Sequence, residues 1–379
     1  MPNSRPIRVL PRAALASAGL LVLAFGAVTS AIAALPDEQR ASPAPAGVWT
    51  KLPTEPYPGK QDDVYFVDAR HGWYGNGRGE LFYSEDGGDS WSRRWHRPGT
   101  FIRALGFIDA ENGFLGNIGP GYFPGVSDAT LLYRTRDGGR SWEPVTLPQN
   151  RLKGICAIDI QRLPSGPDAA PRVLIHAAGR VGGPAGLLRS VDGGEHWQAL
   201  ELPAAAAMVL DVRFLDADTG LVFAATDTDI AKSNALILRS DDGGRHWHEV
   251  YRSARHFESI WKAAFPSTQI GYATLQNYDP STTQRHVVKT SDGGKTWTEL
   301  PLVDDAAVRE FGIGFASTEH GWIGTTVGGF ETRDGGRSWQ RVEIGKAVNK
   351  IRFVADADGL TGWAIGTDLH RWRQPARGD

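Results

Sequence analysis

Short apolar runs recur down the chain in a fixed order. The first of each set reads as an apolar strand, as in Val64-Tyr65-Phe66-Val67, Ala104-Leu105-Gly106-Phe107, Val212-Arg213-Phe214-Leu215 and Ile351-Arg352-Phe353-Val354. A turn follows, and then a run that opens on glycine: Gly72-Trp73-Tyr74-Gly75, Gly220-Leu221-Val222-Phe223, Gly271-Tyr272-Ala273 and Gly321-Trp322-Ile323-Gly324. A third run, such as Leu236-Ile237-Leu238-Arg239, leads straight into a polar octet that begins at Ser240, and a fourth leaves from the octet's tryptophan. Runs this short, bounded by turns, predict four antiparallel strands per set.

The octet is the clearest repeat. Ser84-Glu85-Asp86-Gly87-Gly88-Asp89-Ser90-Trp91 returns over 135–142, 190–197, 240–247, 290–297 and 332–339, always as Ser/Thr-x-Asp-Gly-Gly-x-x-Trp. Its aspartates are Asp86, Asp137, Asp192, Asp242, Asp292 and Asp334, with steps of 51, 55, 50, 50 and 42 residues. That period marks one supersecondary unit repeated. An Asp before two glycines is a tight turn: the carboxylate bonds nearby N–H groups, and glycine takes the positive φ that a side chain resists. Trp91, Trp142, Trp197, Trp247, Trp297 and Trp339 are then expected to anchor each unit against its neighbour. The octet resembles the Asp-box, or bacterial neuraminidase repeat, of β-propellers. The resemblance implies a structural role at the blade periphery for these residues, with no metal or cofactor.

The two ends of the chain complement each other. Residues 47–53 carry Trp49 and look like the segment that follows each octet, but no octet precedes them. Residues 350–373 hold the inner-strand and Gly-Trp patterns with no octet after them. Together they make a seventh unit, so the expected fold is all-β: a seven-bladed propeller over 47–373, closed by the N-terminal strand, with a tail at 374–379. Closure leaves only short, protected strand edges.

Arg5, Arg8 and Arg12 precede an apolar run that ends in Ala31-Ile32-Ala33. This is the pattern of a signal peptide over 1–33, followed by an Ala/Pro-rich linker at 34–46. The competing reading is an uncleaved anchor. Cleavage would move the formal net charge from -2 to -5, which offers no global case for nucleic acid. Cys156 is the only cysteine and reads as a core thiol. The expected location is the periplasm or outside the cell.

Octets in nearly every unit, with His71-Gly72-Trp73-Tyr74-Gly75 and His320-Gly321-Trp322-Ile323-Gly324 between them, resemble the photosystem II stability and assembly-factor propellers and their homologues in non-photosynthetic bacteria. The resemblance spans 47–373. It implies an exported, non-enzymatic, monomeric scaffold that binds a protein client, membrane-embedded in that family. The alternative is a glycan-active hydrolase of sialidase or other glycosidase type. The sialidase pattern needs an Arg-Ile-Pro signature, which is missing from this chain.

Blade geometry places the candidate site on the face opposite the octets. Long loops between second and third strands fall at 116–128, 179–186, 226–234 and 277–285, and they carry Tyr122, Phe123 and Tyr278. Such aromatics suit partner recognition, unless they fold back on their own loops. Links between blades contribute Arg103, Lys153, Trp261, Lys262, Arg309 and Lys350, a basic ring expected at the channel mouth and suited to an anionic client segment. Asp62, Asp63, Asp211 and Glu310 dilute that ring, and under the hydrolase reading they are the candidate paired carboxylates. No H-E-x-x-H, C-x-x-C, P-loop or nucleophile-elbow motif occurs.

Overall fold

The computed structural model describes residues 47–164, 171–357 and 359–374. The predicted signal peptide, the linker and the end of the tail lie outside these residues. Seven four-stranded antiparallel sheets form, each in simple up-and-down order. Blades one to six span 63–96, 102–144, 157–200, 208–252, 258–304 and 310–342. The seventh combines the strands Lys350–Asp356, Gly359–Ile365 and Leu369–Arg373 with the outermost strand Val48–Leu52. Trp49 lies opposite Trp372 in that pairing, so the two ends of the chain are joined by a sheet, as their complementary patterns predicted.

Each octet is the turn between the third and fourth strands. In the first, the Ser84 hydroxyl donates to Asp86 Oδ1 at 2.7 Å and accepts from the Gly88 N–H at 2.7 Å. Ser90 donates its N–H to Asp86 Oδ1 at 2.9 Å and its hydroxyl to Oδ2 at 2.5 Å. Burial would raise Asp86, but these donors hold it down at about 2. Both glycines sit at positive φ, +77° and +99°, where a Cβ would be strained. The turn's own groups therefore satisfy the carboxylate.

The blades are held together in two layers. Octet tryptophans are half-buried and pack against the preceding blade; Trp142 joins Trp73, Leu81 and Phe107. Trp49 plays the same part, edge-on to Trp322 at 5.5 Å. A deeper layer comes from the second strands: in four blades a fully buried ring there stacks on an aromatic from the next blade's inner strand. Trp73 lies 3.7 Å from Phe107, Tyr272 3.8 Å from Phe315, Trp363 3.7 Å from Phe66, and His176 3.5 Å from Phe214, all nearly parallel. The main inter-blade anchors are these side chains, and the octet tryptophans are the outer ones.

A further repeat was legible but easily overlooked. The residue just before the octet is Arg134, Arg189, Arg239 or Lys289 in four units. Each donates to a glycine carbonyl of the following octet; Arg189 Nη1 reaches Gly243 O at 2.6 Å and Lys289 Nζ reaches Gly335 O at 2.9 Å.

Candidate functional site

The innermost strands run from the face that carries the inter-blade links toward the octet face, and their first residues enclose the axis. Aspartates there tie three of the blades to the next. Asp63 Oδ2 accepts from the Leu105 N–H at 2.9 Å, Asp159 Oδ2 from Phe214 at 3.0 Å, and Asp211 Oδ2 from Ala263 at 3.0 Å. Carboxylates buried this way also require cations. Arg103 and Lys60 bind Asp62, while Lys350 and Arg352 stand 3.8 Å and 3.2 Å from Asp63.

The basic ring expected at the mouth therefore divides. Arg103, Lys262 and Lys350 are buried along the axis. The charge pairs explain why: each lysine or arginine lies beside an aspartate that needs it. Burial lowers Lys350 well below the usual lysine range, with Asp63 opposing it. Burial would raise Asp211, but Lys262 and Lys350 bring it down to about 2. Trp261, also buried, closes the link-face end of the axis together with Phe311, Met208 and Leu210. Its indole N–H donates to Asn349 Oδ1 at 2.9 Å, and Lys60, Arg103 and Lys262 lie 5.7, 5.1 and 5.8 Å from its ring. Lys60, which sequence patterns did not single out, completes this cluster. Burial lowers it to about 8, against the pull of Asp62.

Only part of the expected site reaches solvent. Lys153 is exposed, and Arg309 is half-buried over Tyr278 at 4.7 Å. Tyr278 is itself half-buried, with its hydroxyl on Gln276 Oε1 at 2.6 Å. Tyr122 and Phe123 are 40% and 37% exposed, the two aromatics among the five exposed large hydrophobics of the described residues. They do not fold onto their own loop alone: Phe123 stacks on Phe101 at 4.7 Å and meets Tyr122 edge-on at 4.7 Å. The loop beneath is pinned. Asn117 Nδ2 bonds the carbonyls of Asp128 and Thr130, and Arg180 Nη1 bonds those of Ile118 and Pro120.

The four candidate carboxylates are buried. Asp62, Asp63 and Asp211 are committed to cations or N–H groups. Glu310 stands apart: burial raises it to about 8, its Oε2 accepts a 3.4 Å bond from Asn277, and its Oε1 has no partner. Cys156 is buried and free. Among the described residues no group of three or more His, Cys, Asp or Glu side chains is placed to hold a metal ion, and no helix is long and apolar enough to cross a membrane.

No family model matches the chain, and no curated protein sequence matches it. Solved structures do. A structure of YCF48 bound to D1 peptide is 18% identical, with a TM-score of 0.60 over 86% of this chain and 94% of that one. YCF48 from Cyanidioschyzon merolae is 15% identical, with a TM-score of 0.60 over 86% and 98%. An ancestral GH74 enzyme is 16% identical, with a TM-score of 0.58 over 86% of this chain and 46% of the enzyme. The chain thus has the fold of the assembly-factor-like propellers, and it spans less than half of the GH74 enzyme.

Proposed function

We propose that this chain is an exported binding scaffold for a protein client, engaged through the face that carries the inter-blade links and the loops between second and third strands. The observation that carries this reading is the pinned Tyr122–Phe123 pair, exposed on a rigid ring. Preorganised aromatics with cations nearby are what protein interfaces use as anchors; here the cations are Lys153 and the Arg309–Tyr278 pair. YCF48, whose structure carries a D1 peptide, supports a peptide or protein ligand over a glycan. A membrane protein is the client class proposed. The hydrolase reading draws less support, because Asp62, Asp63 and Asp211 are already engaged in ion pairs.

Crosslinking mass spectrometry in the native envelope tests this. The comparison variant combines Tyr122→Ser, Phe123→Ser, Lys153→Glu and Arg309→Glu; the buried Arg103, Lys262 and Lys350 are left intact because changing them would orphan aspartates. A specific protein recovered by the parent and lost by the variant is expected. Equal recovery by both would refute the assignment of this face.

A further inference from the structure

A cavity of about 560 Å³ opens at the other end of the axis, on the octet face. Its walls come from the far ends of the inner strands, so it lies across the ring from Tyr122 and Phe123. Two arginines reach into it. Arg213 spends one guanidinium nitrogen on Asp159 at 3.2 Å, and Arg352 spends Nε and Nη2 on Asp63. Both therefore keep unspent N–H donors. Between them stands Tyr65, with the Arg352 guanidinium 4.8 Å from its ring. The Tyr65 hydroxyl has no hydrogen bond among the described residues; burial raises its pKa, Asp159 adding to the rise and Arg352 and Arg213 opposing it.

The charge around the cavity is unbalanced. Arg213, Arg352, Lys262 and Lys350 stand against three carboxylates, Asp63, Asp159 and Asp211. Burial raises Asp159 above the usual carboxylate range, Arg213 opposing it. Phe265, Ile313 and Ile351 supply apolar wall, and Ser267 and Thr268 add hydroxyl-bearing side chains to the lining. The volume is that of a small-molecule site, and so is the make-up: apolar walls with a few converging polar groups.

We propose that this cavity binds a small organic anion, an apolar body ending in one carboxylate, read by Arg213, Arg352 and the Tyr65 hydroxyl. Guanidinium and phenol donors match a carboxylate, and the phenylalanine and isoleucine walls take the body. The site is separate from the client face, so it stands or falls independently of the reading above.

Isothermal titration of the full chain at constant ionic strength, with phenylacetate, phenylacetamide and inorganic phosphate as probes, decides the matter. Phenylacetate is expected to bind one to one, and its neutral amide and phosphate are expected to fail. Tyr65→Phe should weaken phenylacetate about tenfold, the loss of one hydrogen bond to a charged group. The double change Arg213→Leu with Asp159→Asn, which removes both charges and keeps an amide oxygen as acceptor for the Phe214 N–H, should abolish binding while the protein still melts cooperatively. No heat with phenylacetate would overturn the proposal, as would equal binding of the amide. Binding of phosphate in its place would overturn the apolar half of the site. Phenylacetate affinity unchanged in both variants would show that the ligand sits elsewhere.

Discussion

His176 offers the sharpest test of how the blades are joined. It occupies the second-strand position filled by Trp73, Tyr272 and Trp363 in other blades, where the polar tip finds a partner: Trp73 Nε1 donates to Gly138 O at 2.9 Å, Tyr272 Oη to Thr318 O at 2.8 Å, and Trp363 Nε1 to Gly87 O at 3.1 Å. The His176 ring stacks on Phe214 at 3.5 Å, is fully buried, and has no partner for either nitrogen. A buried polar group without a hydrogen bond costs about 1 to 3 kcal/mol. Phenylalanine fills the same space without that cost. His176→Phe is therefore expected to raise stability by about 1 to 3 kcal/mol at pH 7.5.

The pH dependence gives the argument a second handle. Burial, with Arg189 adding to it, lowers His176 well below its usual 6.5. The folded ring stays neutral while the unfolded one gains a proton as pH falls, so stability present above pH 6.5 is lost below it. The loss grows by about 1.4 kcal/mol per pH unit, or about 2 kcal/mol by pH 5. Denaturant unfolding of parent and variant at pH 7.5 and pH 5, with equal m-values, isolates this group from the other histidines. A variant no more stable than the parent, with the same difference at both pH values, would refute the picture of a neutral, unpartnered core ring.

Trp247→Ala should cost about 3 kcal/mol, the low end for a large-to-small change, because the octet tryptophans are only half-buried; an unchanged melting temperature would remove them as anchors. Glu310→Gln should leave stability near that of the parent at pH 5, gain steadily up to about pH 8, and level off above it. Its raised folded value, about 8, means the parent's stability is present below the unfolded carboxylate range and is lost as pH rises through 8; parallel pH curves would sink this assignment. Deleting residues 47–52 removes the strand paired with Leu369–Arg373 and bares Trp372. The expected result is a broadened, lower thermal transition with exposed-edge aggregation, and a melt like the parent's would show that the ring does not need this clasp.

What the sequence determined by itself was everything that repeats. Seven units, the Asp-Gly-Gly turns and the clasp of residues 47–53 onto the last blade follow from local chemistry written many times over: a carboxylate that needs N–H donors, glycines that tolerate positive φ, and termini that each lack what the other holds. The exposed pair Tyr122 and Phe123 was legible too, because a loop aromatic outside the repeat has no strand to pack it. Tertiary structure alone decided the axis. Asp62 and Arg103 are 41 residues apart and Asp63 and Arg352 are 289 apart, so no spacing rule pairs them. Only ring closure brings them into a low-dielectric centre where each charge must find its opposite. That is why Arg103, Lys262 and Lys350, which pattern placed at an open mouth, lie buried as partners of aspartates, and why Lys60, Arg213 and Arg352 emerged only once the blades were set side by side.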